Sequence, residues 1–468
     1  MASQAESDNT NLSFIFMIVA VATLGGFMFG YDSGAINGTH EGLKQAFKLD
    51  ALSLGFVTTS LLPGAALGAF LAGRLADILG RKRVMIIAAF LFIVTALISG
   101  AASSAMMFAG ARFFAGAAVG AASVLSPAYI SEVTPAHLRG RLSSVQQIMI
   151  VAGLFGAASS NLWLQNSAGS SLADLWGYPA WRWMFWAQAV PATLFLISLA
   201  LVPESPRYLV AKGRIDEAKS VLSRLFGVQS ADRMADEIQS TLTKDHQPRM
   251  SDLKDPVTGK WRRIVWVGIG LAVFQQLVGI NVVFYYGTML WQAVGFTEAQ
   301  AFQTQVINDG VSIGAVLIAL LLIDKIGRKP LLLIGSAGMA LTLATMAYCF
   351  NQGELVGTQL TLPEGYGTIA FYAAISYAAF FNLSWGPVMW VMLGEMFPNQ
   401  MRGSALAVAG FAQWTANFVV SSSFPWALEN LGLTTAYSFF TICAFISVFF
   451  VAYMVKETKG KTLEEMEG

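Results

Sequence analysis

The sequence predicts an all-α polytopic membrane protein, with twelve transmembrane helices in two six-helix bundles joined by a polar helical segment. Three observations carry this. Only 12% of the 468 residues are charged and 55% are hydrophobic, against about 25% charged in a soluble domain. Twelve apolar runs of roughly 20 residues are each long enough to cross a bilayer. Six of them precede and six follow one charge-rich stretch, Pro206 to Arg263, which holds 20 of the 57 charged residues. Finally, the two halves repeat the same short motifs. A chain this poor in charge needs an apolar solvent, which excludes soluble enzymes, nucleic-acid binders and disulfide scaffolds.

Taken in order, residues 1–11 form a polar tail containing Glu6 and Asp8 but no basic residue. The positive n-region of a cleaved signal peptide is therefore missing, and the apolar run that follows is read as a retained span. The N-terminal bundle covers 12–205, with spans centred near 23, 64, 92, 117, 154 and 192. Close helix packing is expected where small residues recur, as in GAALGAFLAG (64–73) and AGAAVGAAS (115–123). The linker, 206–261, reads as amphipathic helices: SPRYLVAKGRIDEAKSVLSRLFG, interrupted at Gly213, and then ADRMADEIQSTL. It reads as a solvated linker with short helices or, functionally, as a cytoplasmic latch that braces the closed side. The C-terminal bundle covers 262–455, with spans near 276, 311, 340, 380, 414 and 444, and residues 456–468 form a tail. Cys349 and Cys443 lie in apolar runs and read as small core residues.

Charge placement sets the orientation. Of 29 Lys and Arg, only Lys44 and Lys48 fall in odd-numbered loops, while Arg112 lies inside a span and Arg182 begins one. The other 25 lie in even-numbered loops or after the last span. The positive-inside rule then puts both termini and the linker in the cytoplasm of a multi-pass cell-membrane protein.

The same loops carry the repeat. GRLADILGRK (73–82) follows span 2 and IDKIGRK (323–329) follows span 8. EVTPAHLRGR (132–141) follows span 4 and EMFPNQMRG (395–403) follows span 10. PES (203–205) and KET (456–458) close the two halves. Asp77 and Asp324 lie 247 residues apart, Glu132 and Glu395 263, and Pro203 and Lys456 253. Parallel six-helix repeats are a transporter architecture, with the substrate site between the halves near the midplane. Arg81 and Lys82 can pair with acids such as Glu132 or Glu395, which would hold one side shut in one state and release it in the other. Asp77 can cap or attract a helix end.

Ionisable groups inside spans are costly and mark function. Asp32 in span 1, Arg112 in span 4 and Asp309 in span 8 qualify. Burial favours a protonated carboxyl and a guanidinium partner favours an ionised one, so a change of partner at Asp32 would switch its proton. The alternative is a permanent Asp32–Arg112 pair that only fixes packing. Asp309 reads as a carboxylate near the outer end of its span and simply hydrated, with a part in coupling as the alternative. Amide side chains form a second set: Gln147 in span 5, Gln275, Gln276 and Asn281 around Gly279 in span 7, and Gln413 and Asn417 on one face of span 11. Trp414 lies beside them, and Trp385 and Trp390 flank Gly386-Pro387, where span 10 should break. Amides supply donor and acceptor together and aromatic rings stack on sugar C–H faces, so the set suits an uncharged polyhydroxyl ligand. No metal-ligand spacing or nucleophile pair occurs in the spans, so neither an enzyme nor a metal or other cofactor is expected.

At these residues the sequence resembles the sugar porter family of the major facilitator superfamily. GRLADILGRK, EVTPAHLRGR, PESPR, FQQLVGIN, DKIGRK and ETKGKTLEE match its signatures along nearly the whole chain, from about Phe14 to Glu465. The resemblance implies sugar contacts at Gln147, Gln275, Gln276, Asn281, Trp390, Gln413 and Trp414, with Phe29 and Gly386 lining the site. It implies that Asp32, paired with Arg112, accepts the proton, because facilitative members carry a neutral residue there. It also implies gate residues Arg81, Glu132, Arg141, Glu204, Arg328, Glu395 and Arg402. Three positions depart from the family pattern. Ser312 replaces a sugar-binding Asn in span 8, a shorter group for which Asp309, one turn earlier, can compensate. Leu154 stands where proton-coupled pentose carriers have Gln, which moves the expectation towards a hexose. Lys456 replaces a Pro. The expected partners are thus a monosaccharide, a proton and the lipid bilayer, with no nucleic acid, and the carrier is expected to be monomeric.

Overall fold

The computed structural model describes residues 10–244, 250–255, 258–356, 359–398 and 401–459. α1 (Leu12–Ala35) starts at Asn11, whose side chain accepts from the Phe14 N–H, satisfying one of the donors left over in a first turn. A 3₁₀ turn at Ile36–Gly38 leads into the short amphipathic α2 (His40–Phe47). α3 (Ala51–Thr59) and α4 (Leu61–Leu79) together make span 2, followed by α5 (Arg81–Ala101), α6 (Ala105–Val133) and α7 (Ala136–Ala168). A two-residue hairpin (β1, Asp174–Leu175; β2, Tyr178–Pro179) precedes span 6, built from α8 (Ala180–Trp186) and α9 (Ala189–Ser198).

The linker supplies α10 (Pro206–Ala211), α11 (Ile215–Phe226) and α12 (Val228–Lys244). Gly213 interrupts it as the sequence predicts, with φ +73°. Its α10 and α11 pack on α6 and α1 of the N-terminal half, while a 3₁₀ turn at Met250–Leu253 contacts the long helix Arg402–Met454 of the C-terminal half. Leu222, Leu225 and Phe226 are buried, the Leu225 carbonyl accepts from the Asn11 N–H (2.9 Å), and the Arg224 guanidinium lies 4.4 Å from the Phe14 ring centroid.

The second half begins with α13 (Arg263–Leu277) and α14 (Ile280–Ala293), which share span 7 across Gly279 at φ +82°. α15 (Glu298–Ile326) and α16 (Arg328–Asn351) follow, then a hairpin (β3, Glu354–Val356; β4, Gln359–Thr361). Span 10 is broken into α17 (Tyr366–Leu383) and α18 (Trp385–Met396). The break falls at Ser384 (φ −133°, ψ −87°), upstream of the predicted Gly386-Pro387, because Pro387 has no N–H for the Leu383 carbonyl and would crowd it. The proline thus sits in the first turn of α18, where a missing N–H costs nothing.

α19 runs from Arg402 to Met454 over 53 residues, or about 80 Å at 1.5 Å per residue, far more than the roughly 30 Å hydrocarbon core. It folds back at Gly432 (φ 78°, ψ 165°) and so provides spans 11 and 12. Ten helical segments are long and apolar enough to cross a membrane among the described residues. With α19 read as two and the broken α17–α18 pair as one more, the count reaches the predicted twelve.

Glycine sets how closely these helices meet. Cβ atoms on Gly64 and Gly116 would collide with the carbonyl oxygens of Phe113 and Leu61, so α4 and α6 touch backbone to backbone. The same holds for Gly30 of α1 against Ile150 of α7.

The two halves meet at the face opposite the basic loops, called here the far face. Thr288 N donates to Asn37 Oδ1 (2.9 Å) and its hydroxyl bonds the Asn37 carbonyl. The His40 and Tyr286 ring centroids are 4.8 Å apart, and Ser171 N donates to Glu298 Oε1 (3.0 Å). Gly55 of α3 lies against the Ser422 carbonyl of α19.

Candidate functional site

α1 carries Asp32 into the interior of the N-terminal half, 1% exposed, and α6 brings Arg112, equally buried, beside it. Arg112 Nη1 donates to Asp32 Oδ1 (2.8 Å), and Gln188 Nε2, at the junction of α8 and α9, donates to the same oxygen (2.8 Å). Asp32 Oδ2 and Arg112 Nε have no hydrogen-bond partner. The pair is therefore single-pronged, and the other carboxylate oxygen is buried without a partner. Gln188 escaped the sequence reading. Its signal was the one that flagged Gln147: an amide inside an apolar span.

The amides of the second half form one connected chain around the Gly279 break. Gln275 Nε2 donates to the Trp385 carbonyl in the first turn of α18 (2.9 Å). Gln275 Oε1 accepts from Gln276 Nε2 (3.1 Å) and from Gln413 Nε2 of α19 (2.8 Å). Asn281 Nδ2 donates to Gln276 Oε1, while Gln413 Oε1 has no partner though the residue is buried. The break at Gly279, where φ is +82°, thus places Gln275, Gln276 and Asn281 together. Asn417 accepts from Ser421 Oγ (2.9 Å). Phe29 of α1 and Trp414 of α19 face each other from opposite halves, 6.1 Å between ring centroids. Gly386 is buried, Gln147 is partly buried, and Trp390 is the open residue of α18 at 42% exposure. The Ser312 hydroxyl donates its one O–H to the Asn308 carbonyl (2.9 Å) and so has no donor left for a ligand. Asp309, expected near the outer end and hydrated, is instead buried at 1% exposure.

The basic face carries two matching clusters. In the N-terminal half Arg81 contacts Asp77 (2.9 Å) and Glu132 (3.2 Å). Ser205 Oγ donates to Glu132 (2.5 Å), and Glu204 accepts from the Lys82 N–H (3.1 Å). In the C-terminal half Arg328 contacts Asp324 (3.1 Å) and Glu395 (2.7 Å). Thr458 Oγ1 donates to Glu395 (2.6 Å), and Glu457 accepts from the Arg328 and Lys329 N–H groups. Burial pushes the Glu457 carboxyl up, but the N–H groups of Lys459, Arg328, Lys329 and Thr458 together hold it below its ordinary value. Glu204 and Glu457 each sit at a helix N-terminus, that of α5 and of α16, where partial positive charge favours them.

Of the two acids offered for Arg81, Glu132 is the one it meets, while Glu395 pairs with Arg328 of its own half. Two expectations change here. Asp77 pairs with Arg81 four residues on and caps no helix. Arg402 meets no acid among the described residues and donates to the Phe397 carbonyl (3.2 Å). The Arg141 side chain lies outside the described residues.

A helical bundle with two repeated halves, a polar seam between them and matching ion-pair clusters on one face is the build of a secondary transporter. The comparisons agree. The family model described as "Sugar (and other) transporter" matches residues 18–468. The chain is 46% identical to the "Glucose transport protein" of Synechocystis sp. over 99% of both chains. It is 36% identical to the "D-xylose-proton symporter" of Escherichia coli, covering 98% of this chain and 96% of that one. The structure of the E. coli xylose transporter in a partially occluded inward open conformation superposes with a TM-score of 0.83 at 34% identity, covering 96% of this chain and all of the other. The chain belongs to the sugar transporter family. Its relatives are transporters, not enzymes.

Proposed function

We propose that the protein imports a monosaccharide together with a proton by alternating access across the cell membrane, with the basic face and both termini in the cytoplasm. The observation that carries this is the buried Asp32, held through one oxygen by Arg112 and Gln188 while the other oxygen is buried without a partner. A proton on Oδ2 neutralises the carboxylate, weakens its hold on Arg112, and so couples the proton to a rearrangement of α1 against α6. The neutral amide chain of Gln275, Gln276, Asn281 and Gln413 supplies paired donors and acceptors for sugar hydroxyls, and Phe29 and Trp414 close on the ring from opposite halves. The hydrogen-bonded far face and the basic-face arginines, each paired within its own half, correspond to a carrier facing inward. The proton-symporting relative supports the coupling, and the glucose-transporting relative, with Leu154 in span 5, supports a hexose.

Asp32→Asn tests it. In energised vesicles the variant is expected to lose uphill accumulation and keep sugar exchange. Accumulation equal to the wild type would remove the coupling claim. Addition of sugar to de-energised cells should alkalinise the medium, whereas a facilitative uniporter leaves its pH unchanged.

A further inference from the structure

α15 carries a buried carboxylate to which the proposed mechanism gives no role. Asp309 accepts from Gln305 Nε2 (3.0 Å) and Asn308 Nδ2 (3.3 Å), both on Oδ1. No cation pairs with it among the described residues. An uncompensated charge in a membrane span is retained only where it acts.

Its direction follows from the helix repeat. Phe302 and Asp309 are seven residues apart, so they lie on one stripe about two turns long. Phe302 packs against Gly38 and lies beside Met184, both of the N-terminal half. The stripe therefore faces the seam between halves, and Asp309 stands beneath the far-face closure. Gln305, one turn above it, abuts Gly287, and the Asn37 amide approaches the same glycine. Gln305 Oε1 and Asn37 Nδ2 are both buried without a partner. Gly287 and Asn281 share α14, which runs antiparallel to α15. At 1.5 Å per residue Asp309 and Asn281 then lie within about 3 Å of the same depth. Ser312, one turn deeper, donates its O–H to the Asn308 carbonyl.

We infer that Asp309 is a specificity-determining sugar contact: its Oδ2, with Gln305 Oε1 beside it, accepts hydrogen bonds from hydroxyl groups of the bound monosaccharide, in place of the contact Ser312 does not make. This rests on the sugar-carrier reading above and adds a carboxylate acceptor to the neutral amides. A site built to hold a hydroxyl discriminates strongly against the analogue without it, because its own polar group is then left unmatched.

The test is counterflow of D-glucose in proteoliposomes of the full-length protein, competed by each monodeoxy-D-glucose, in the wild type, Asp309→Asn and Asp309→Ala. The wild type should bind one deoxy analogue about tenfold or more weakly than glucose. Both variants should weaken glucose by a similar factor and bind that analogue no worse than glucose. A structural role would weaken all sugars alike and leave the deoxy profile unchanged, which overturns the inference. So would variants with a wild-type deoxy profile that have lost only proton-driven accumulation. Thermal unfolding of the near-isosteric Asp309→Asn separates misfolding from lost contact. A wild type that exchanges neither D-glucose nor D-xylose would remove the carrier reading and this one together.

Discussion

Gln276 shows how one side chain links a site: it donates to Gln275 and accepts from Asn281. Gln276→Ala leaves both neighbours short of a partner, and sugar binding should weaken by about 1–3 kcal/mol. Unchanged affinity by titration calorimetry would remove it from the site. His40 makes a different prediction. It lies beyond the end of α1, its Nδ1 is 3.2 Å from the Asn37 carbonyl and its Nε2 has no partner. Burial lowers its pKa to about 4, with Lys44 adding to this and the Asn37 carbonyl opposing it. Because the folded value lies below the ordinary 6.5, the unfolded chain binds more protons between the two. Its contribution is thus complete above pH 6.5 and falls away as pH drops towards 4. The melting temperature of His40→Gln should decline less over that window. Parallel curves would show that His40 is not the group responsible.

At the scale of elements, close approach decides. A side chain at Gly116 meets the Leu61 carbonyl, whereas Gly110, on the same helix, has open space around its Cβ position. Gly116→Val should therefore cost about 1–3 kcal/mol through overpacking, and Gly110→Ala should leave the melting temperature unchanged or raise it slightly. Equal effects would mean that the α4–α6 contact is not tight. The sequence made this seam legible through its small-residue spacing. The break in span 10 was legible in kind but misplaced by two residues, because proline acts on the preceding turn rather than at its own position. The one-sided docking of α10–α12 was not legible at all. Amphipathic periodicity gives an apolar face but not the surface that covers it.

For the whole molecule, the closure of the far face is the testable state. Asn37 and Thr288 join the halves by short hydrogen bonds, and the two native cysteines are buried elsewhere. Asn37→Cys with Thr288→Cys, oxidised, should halt transport, and a reductant should restore it. Uninterrupted transport after complete cross-linking would mean that this contact does not need to open.

The sequence by itself determined the membrane setting, the two halves, the basic face and the residues worth watching, since scarcity of charge, charge asymmetry and motif repeats are all one-dimensional. It also offered Asp32 and Arg112 as a pair, through the family resemblance and their place as the ionisable groups of spans 1 and 4. Only the tertiary structure decided which acid each gate arginine meets, that Gln188 shares Asp32 Oδ1, and that Asp309 is buried at the seam rather than hydrated. Those outcomes depend on how helices distant in sequence rotate and cross. Backbone contacts at glycine fix that geometry, and no local pattern encodes it.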